Sequence, residues 1–162
     1  MPLVLCSDFG SKSLRPGAMK GIIAVIAPDA PVIDLTHELP AADTRRAALL
    51  LLQAVKYFPT GTIFCVVSGD GDARPIAAQA GGYIFVGRDD GVMSYALYNQ
   101  PHAWAADITD ALDGEIDPSA ANAWTLLPAV AALIHAGAPL ETLGQHIPDM
   151  YGLEPQPLRV AN

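Results

Sequence analysis

Apolar and polar positions alternate along this chain in blocks that switch between strand and helix periods. Residues 3–6 are an unbroken apolar run that reads as a first strand, and residues 16–26 are helix-like, with Pro16 acceptable in a first turn. "PVIDL" (31–35) reads as a second strand. Residues 43–58 give the clearest helix: Ala47, Leu50, Leu51, Ala54 and Phe58 recur at helical spacing, and Asp43 supplies a start signal. "GTIFCVV" (61–67) is a buried strand, followed by the glycine- and aspartate-rich "SGDGDARP". "IAAQA" and "YIFVG", split by Gly81-Gly82, read as a hairpin. "RDDG" then turns the chain towards a short helix over 92–97. Residues 103–109 read as a strand, and 120–135 as a second long helix ending at Gly137. The pattern predicts one domain over 1–150. The tail at 151–162, with Pro155 and Pro157, reads as an extended segment or an arm that docks on something.

Strand–helix alternation with apolar strands predicts an α/β fold of three layers, a mainly parallel central sheet with helices on both faces. In such sheets ligands bind beyond the carboxyl ends of the strands. Asp8 after the first strand, His37 after the second and "SGDGDARP" after the third would share that rim, which makes it the candidate site.

Composition narrows the classes. The 162 residues, 51% hydrophobic and 16% charged, suit a globular chain with one substantial core. The longest apolar stretches, 21–27 and 47–52, fall well short of the ~20 residues needed to cross a bilayer. No charged-then-apolar leader precedes the first strand, so a cytoplasmic location is expected, with no membrane partner. Nine Lys plus Arg against seventeen Asp plus Glu give a net charge of −8, which argues against nucleic acid as a partner. Arg45-Arg46 is the only basic doublet, and an exposed helix face explains it. Cys6 and Cys65 lie in apolar runs without a CxxC partner and read as buried thiols. His102, His135 and His146 are scattered without metal-binding spacing, so no metal is expected.

Four segments carry a family resemblance. "SDFG" (7–10), "MKGIIAVIAPDAPVIDLTHELP" (19–40), "YFPTGTIFCVV" (57–67) and "GGYIFVGRDDGVMSYAL" (81–97) appear in order. Together they resemble the N-terminal domain of S-adenosylmethionine hydroxide adenosyltransferases, relatives of fluorinases and chlorinases, over roughly residues 3–144. The resemblance implies that Asp8 holds the ribose hydroxyls of an adenosyl group. A carboxylate suits that task because it accepts two hydrogen bonds from a vicinal diol. By the same resemblance Phe9, Gly10, Ser13 and Ser68 join the ligand-binding set. The reaction it implies displaces methionine from the 5′ carbon with water, giving adenosine, with no cofactor beyond S-adenosylmethionine itself as substrate or ligand. A sulfonium already leaves well, so the protein mainly orients and desolvates the nucleophile. An Asp, Arg and His cluster does this in the family.

The sequence departs from that cluster. Ser68 stands at the acid position, and the histidine position falls near Ala121 in "AANAWTLLP". Arg74 stands for the arginine, and Asp70 or Asp72 for the missing carboxylate. An acid that helps hold the methionine part in the family appears as Ser13, which cannot balance an ammonium charge. The family's second, β-rich domain is expected to be absent, and the resemblance implies a homo-oligomer, a trimer, which the mean hydropathy of +0.29 also suits.

Bland readings stand beside these. Asp8 also reads, less readily, as a helix-capping or turn residue before Pro16, and "SGDGDARP" as an ordinary surface loop. His37 reads as a hydrogen-bonded packing residue, "RDDG" as a turn with Asp89 and Asp90 exposed, and Trp104 and Trp124 as core or interface residues. Because catalytic clusters act as units, the expectation is an adenosyl-ligand protein, a divergent relative of adenosine-forming S-adenosylmethionine hydrolases with weakened or lost hydrolysis. Two alternatives are an active enzyme of that class and an assembly module without ligand.

Overall fold

A computed structural model of the chain describes residues 1–69, 71–98, 104–112 and 122–153. Among the described residues, seven strands form one sheet: β1 (Leu3–Ser7), β2 (Val32–Thr36), β3 (Ile63–Val67), β4 (Pro75–Ala80), β5 (Tyr83–Arg88), β6 (Trp104–Asp107) and β7 (Gln145–His146). The helices are α1 (Arg15–Ile26), α2 (Thr44–Val55), α3 (Ser94–Leu97), α4 (Ala123–His135) and α5 (Leu140–Leu143).

Period-two alternation in the apolar strands sorts their side chains between two cores. Leu3, Leu5, Ile63, Cys65 and Val67 face Met19 and Ile23 of α1 and Leu127 and Val130 of α4. Val4, Cys6, Phe64, Val66 and Phe85 face Ala47, Leu51 and Val55 of α2 and Ala96 of α3. The three layers follow the expectation. Burial pushes the Cys6 thiol up to about 12, which keeps it protonated, and both cysteines are free.

The strand order is β2-β1-β3-β5-β4-β6-β7. Pairings from β2 to β5 are parallel and those from β5 to β7 antiparallel, so the sheet is mixed and not mainly parallel. The cause is local. Gly81 and Gly82, at φ 58° and 83°, make the tight reversal that hairpins favour, so β4 lies antiparallel beside β5. The hairpin's second strand, not its first, then pairs with β3. Since β4 is antiparallel to both β5 and β6, five strands (β1, β2, β3, β5 and β6) still point the same way.

Helix boundaries shift slightly from the sequence reading. Asp43 does start α2, its carboxylate accepting the Arg46 amide at 2.9 Å. The helix ends at Val55, however, and Leu50, one of the apolar residues at helical spacing, is 41% exposed beside exposed Leu49 and Leu52. The long helix begins at Ala123, where Asn122 and Thr125 form a capping box. The sequence reading missed α5 and β7. They carry the chain back along β6 to residues 149–153, so the described part of the expected arm docks on its own chain. Residues 154–162 of that arm lie outside the described residues. Among the described residues, no helix is long and apolar enough to cross a membrane.

Candidate functional site

Because β1, β2 and β3 run parallel and end at Ser7, Thr36 and Val67, Asp8, His37 and Ser68 come to one rim as the pattern predicts. Asp8 caps no helix: α1 starts behind Leu14 without a side-chain cap. Its backbone amide donates to Val67 O at 3.3 Å, and its Oδ2 accepts the Gly69 amide at 2.7 Å. The carboxylate therefore ties the exit of β1 to the loop after β3, while Oδ1 has no partner among the described residues.

The next residues build a tight connection. Gly10 sits at φ 81°, where a side chain is disfavoured, and its amide donates to His37 O at 2.7 Å. The Ser11 amide donates to Glu38 Oε1 at 2.7 Å, which holds that exposed carboxyl below its usual range. Ser13 Oγ accepts the Arg15 amide at 3.2 Å, an interaction that shapes the entry to α1. The Arg15 guanidinium stands 4.8 Å from the Phe9 ring centre and 5.9 Å from that of Trp124, joining the starts of α1 and α4.

His37 is hydrogen-bonded packing, as its bland reading held. Its Nδ1 lies 2.8 Å from the hydroxyl of fully buried Ser7, and its Nε2 is 3.2 Å from Asp34 Oδ1 without hydrogen-bond alignment. Although the residue types suggest a nucleophile relay, a serine sealed from solvent attacks nothing. Burial raises the Asp34 carboxyl, but Lys20 at 2.7 Å and His37 outweigh it and leave it lowered.

Arg74 and Asp72 come to the same rim. They line an open cleft of about 530 Å³ with Arg88, Thr109, Asn122 and Leu126, a set that does not include Asp8. Arg74 is firmly engaged. Its Nε and Nη2 each lie 2.9 Å from Asp89 Oδ2, and Nη2 donates to Asp149 O at 2.8 Å. Asp89 Oδ1 accepts the Tyr151 amide at 2.7 Å. These contacts correct the reading of "RDDG" as an exposed turn: the Asp89 side chain is only 7% exposed, and Asp90 is half-buried with its carboxyl raised by burial. Ser68 is buried at the exit of β3. Asp70 and Ala121 lie outside the described residues, as does His102.

Trp104 is partly buried against β6's neighbour His146, their ring centres 5.6 Å apart, and Trp124 flanks the rim as described. Sequence reasoning missed Arg88, Asp89 and Arg15 as rim residues. The available signal was position: "RDD" follows the apolar run 83–87 as Asp8 follows 3–6. Among the described residues, no group of three or more His, Cys, Asp or Glu is placed to hold a metal.

Comparison with known proteins fits this architecture. The family model for the SAM hydroxide adenosyltransferase N-terminal domain matches residues 3–144. An (R)-S-adenosyl-L-methionine hydrolase of Thermus thermophilus is 37% identical over 102 residues, covering 62% of this chain and 40% of its own. The hydrolase of that name from Salinispora arenicola is 36% identical over 143 residues, covering 85% and 54%. A solved structure of a conserved protein from Thermotoga maritima superposes with a TM-score of 0.87 at 27% identity, over 99% of this chain and 63% of that one. The chain spans about half the length of the curated relatives it matches.

Proposed function

Since the chain belongs to the S-adenosylmethionine hydroxide adenosyltransferase family, we propose that it binds a small adenosyl ligand at the sheet rim, S-adenosylmethionine first among them, and that its hydrolysis to adenosine is weakened or lost. The observation that carries the binding half is Asp8, fixed by Gly69 with one carboxylate oxygen left for a ribose diol.

The loss of hydrolysis rests on three residues. Ser68 offers a neutral, buried hydroxyl where the family pattern has a carboxylate, and the histidine position falls near Ala121. The Arg74 guanidinium is held by Asp89 and by Asp149 O, which draws its charge away from a nucleophilic water. One observation favours the active alternative: Asp72 lines the same cleft as Arg74 and is a carboxylate available to replace the missing one. Asp70 is the other candidate for that role.

Calorimetry with S-adenosylmethionine and adenosine, followed by chromatography of the incubated mixture, tests the proposal. Binding without adenosine formation is the expected result. Multiple turnover that Arg74→Ala abolishes establishes the active enzyme, and absence of binding leaves an assembly module. We also propose a homo-oligomer, a trimer by family resemblance, in which the exposed Leu49, Leu50 and Leu52 of α2 are covered.

A further inference from the structure

Arg88 ends β5 at the rim and lines the cleft between the β3–β4 connection and the start of α4. Its Nε is removed from solvent, yet it has no hydrogen-bond partner among the described residues. Native structures rarely bury a donor in this way without an acceptor. The two acids that follow it in sequence do not resolve it. Asp89 is bound to Arg74, and Asp90 lies close enough to feel Arg88's charge but accepts the Val92 amide at 2.9 Å. Asp72, the acid that lines the cleft among the described residues, is exposed.

The opposite wall has the same polarity. Asn122 and Thr125 satisfy one another in the capping box, and the Thr125 and Leu126 amides bond Asn122 O at 3.0 and 2.8 Å, which leaves the Ala123 and Trp124 amides of the first turn without an acceptor within the helix. A guanidinium whose Nε is left unpaired, in a cleft it shares with a helix start, favours contact with an oxyanion. The Asp8 position lies near the exit of the strand that carries Arg88. Gly69, whose amide binds Asp8, lies so near the exit of β5 that a Cβ on it would stand 3.7 Å from Asp90 Oδ2.

We propose that Arg88 and the cleft at the start of α4 form an oxyanion subsite. The assignment of its occupant rests on the adenosyl reading: with the ribose at Asp8, the oxyanion is the charged group that the ligand carries beyond its 5′ carbon. Two ligands supply one, S-adenosylmethionine through its carboxylate and adenosine 5′-monophosphate through its phosphate.

The test compares adenosine, S-adenosylmethionine and adenosine 5′-monophosphate by calorimetry on wild-type protein, Arg88→Gln and Arg88→Lys, with melting curves to confirm that each variant folds. The subsite predicts that one or both charged ligands bind at least about tenfold more tightly than adenosine. Arg88→Gln removes that advantage and leaves adenosine unchanged, while Arg88→Lys restores only part of it because the fork is lost. An advantage for the monophosphate alone identifies phosphate, and one for S-adenosylmethionine alone identifies carboxylate. Equal affinities for all three, or an advantage that survives Arg88→Gln, overturns the subsite.

If adenosine itself does not bind, the adenosyl reading fails separately. The subsite is then decided by the Arg88 Nε–H resonance in titrations with inorganic phosphate and with acetate. A saturable shift absent in chloride supports it, and an unmoved resonance refutes it.

Discussion

Asp8 joins two strand exits with one oxygen and offers the other, so its loss should separate binding from folding. Asp8→Ala is expected to abolish adenosine binding measured by calorimetry while lowering stability by only roughly 1 kcal/mol, the scale of one hydrogen bond; global unfolding would refute the separation. Asp90 gives a prediction of opposite sign. Burial raises its carboxyl, so at neutral pH the folded state bears the cost of an ionised, half-buried group. Asp90→Asn keeps the acceptor for Val92 and is expected to stabilise the protein at pH 7. The gain should shrink as pH falls through the raised folded pKa towards the ordinary carboxylate range, where the wild-type group is protonated too. Urea unfolding at pH 7 and pH 4 checks both the sign and the trend. Asp8 was legible in the sequence because a carboxylate after an apolar strand has one possible rim. Asp89 was not, because its partners are an arginine fifteen positions earlier and an amide sixty-two positions later.

Among the elements, those with a long period were readable. The apolar strands, the leucine-rich helix and the two-glycine hairpin all appear near their expected places, because each carries a local physical signal. What the period does not encode is pairing order. Nothing in "IAAQA" and "YIFVG" says which of them meets β3, and that choice makes the sheet mixed. α5 and β7, of four and two residues, are too short to show a period at all. Their docking nevertheless has a steric signature: a Cβ on Gly144, which sits in extended backbone, would overlap Asp107 O. Gly144→Ala is therefore expected to prise α5 and β7 from β6 and cost ~1–3 kcal/mol. Faster amide exchange at Ile147, whose amide bonds Ala105 O at 3.0 Å, with β1 unaffected, is the measurement that checks it.

At the scale of the whole molecule, the two cores are closed but the outer face of α2 is not. Leu49, Leu50 and Leu52 are 45%, 41% and 43% exposed, and β2 beside them is an edge strand with Ile33 at 42%. Light scattering at micromolar concentration should give a multiple of the chain mass, three by family resemblance, and Leu50→Glu should lower it; a strictly monomeric wild-type mass overturns the proposal. The rim has a consequence of another kind. Asp89 is held on one oxygen by Arg74 and on the other by the Tyr151 amide, and Tyr151 and Leu153 lie over Gly91 so closely that a side chain there would meet Leu153 at 2.8 Å. The chain beyond Leu153 thus starts from a mooring at the mouth of the site. By thermodynamic reciprocity, an anion that draws Arg74 away from Asp89 slackens this mooring, and tension on the chain downstream alters how freely Arg74 can turn.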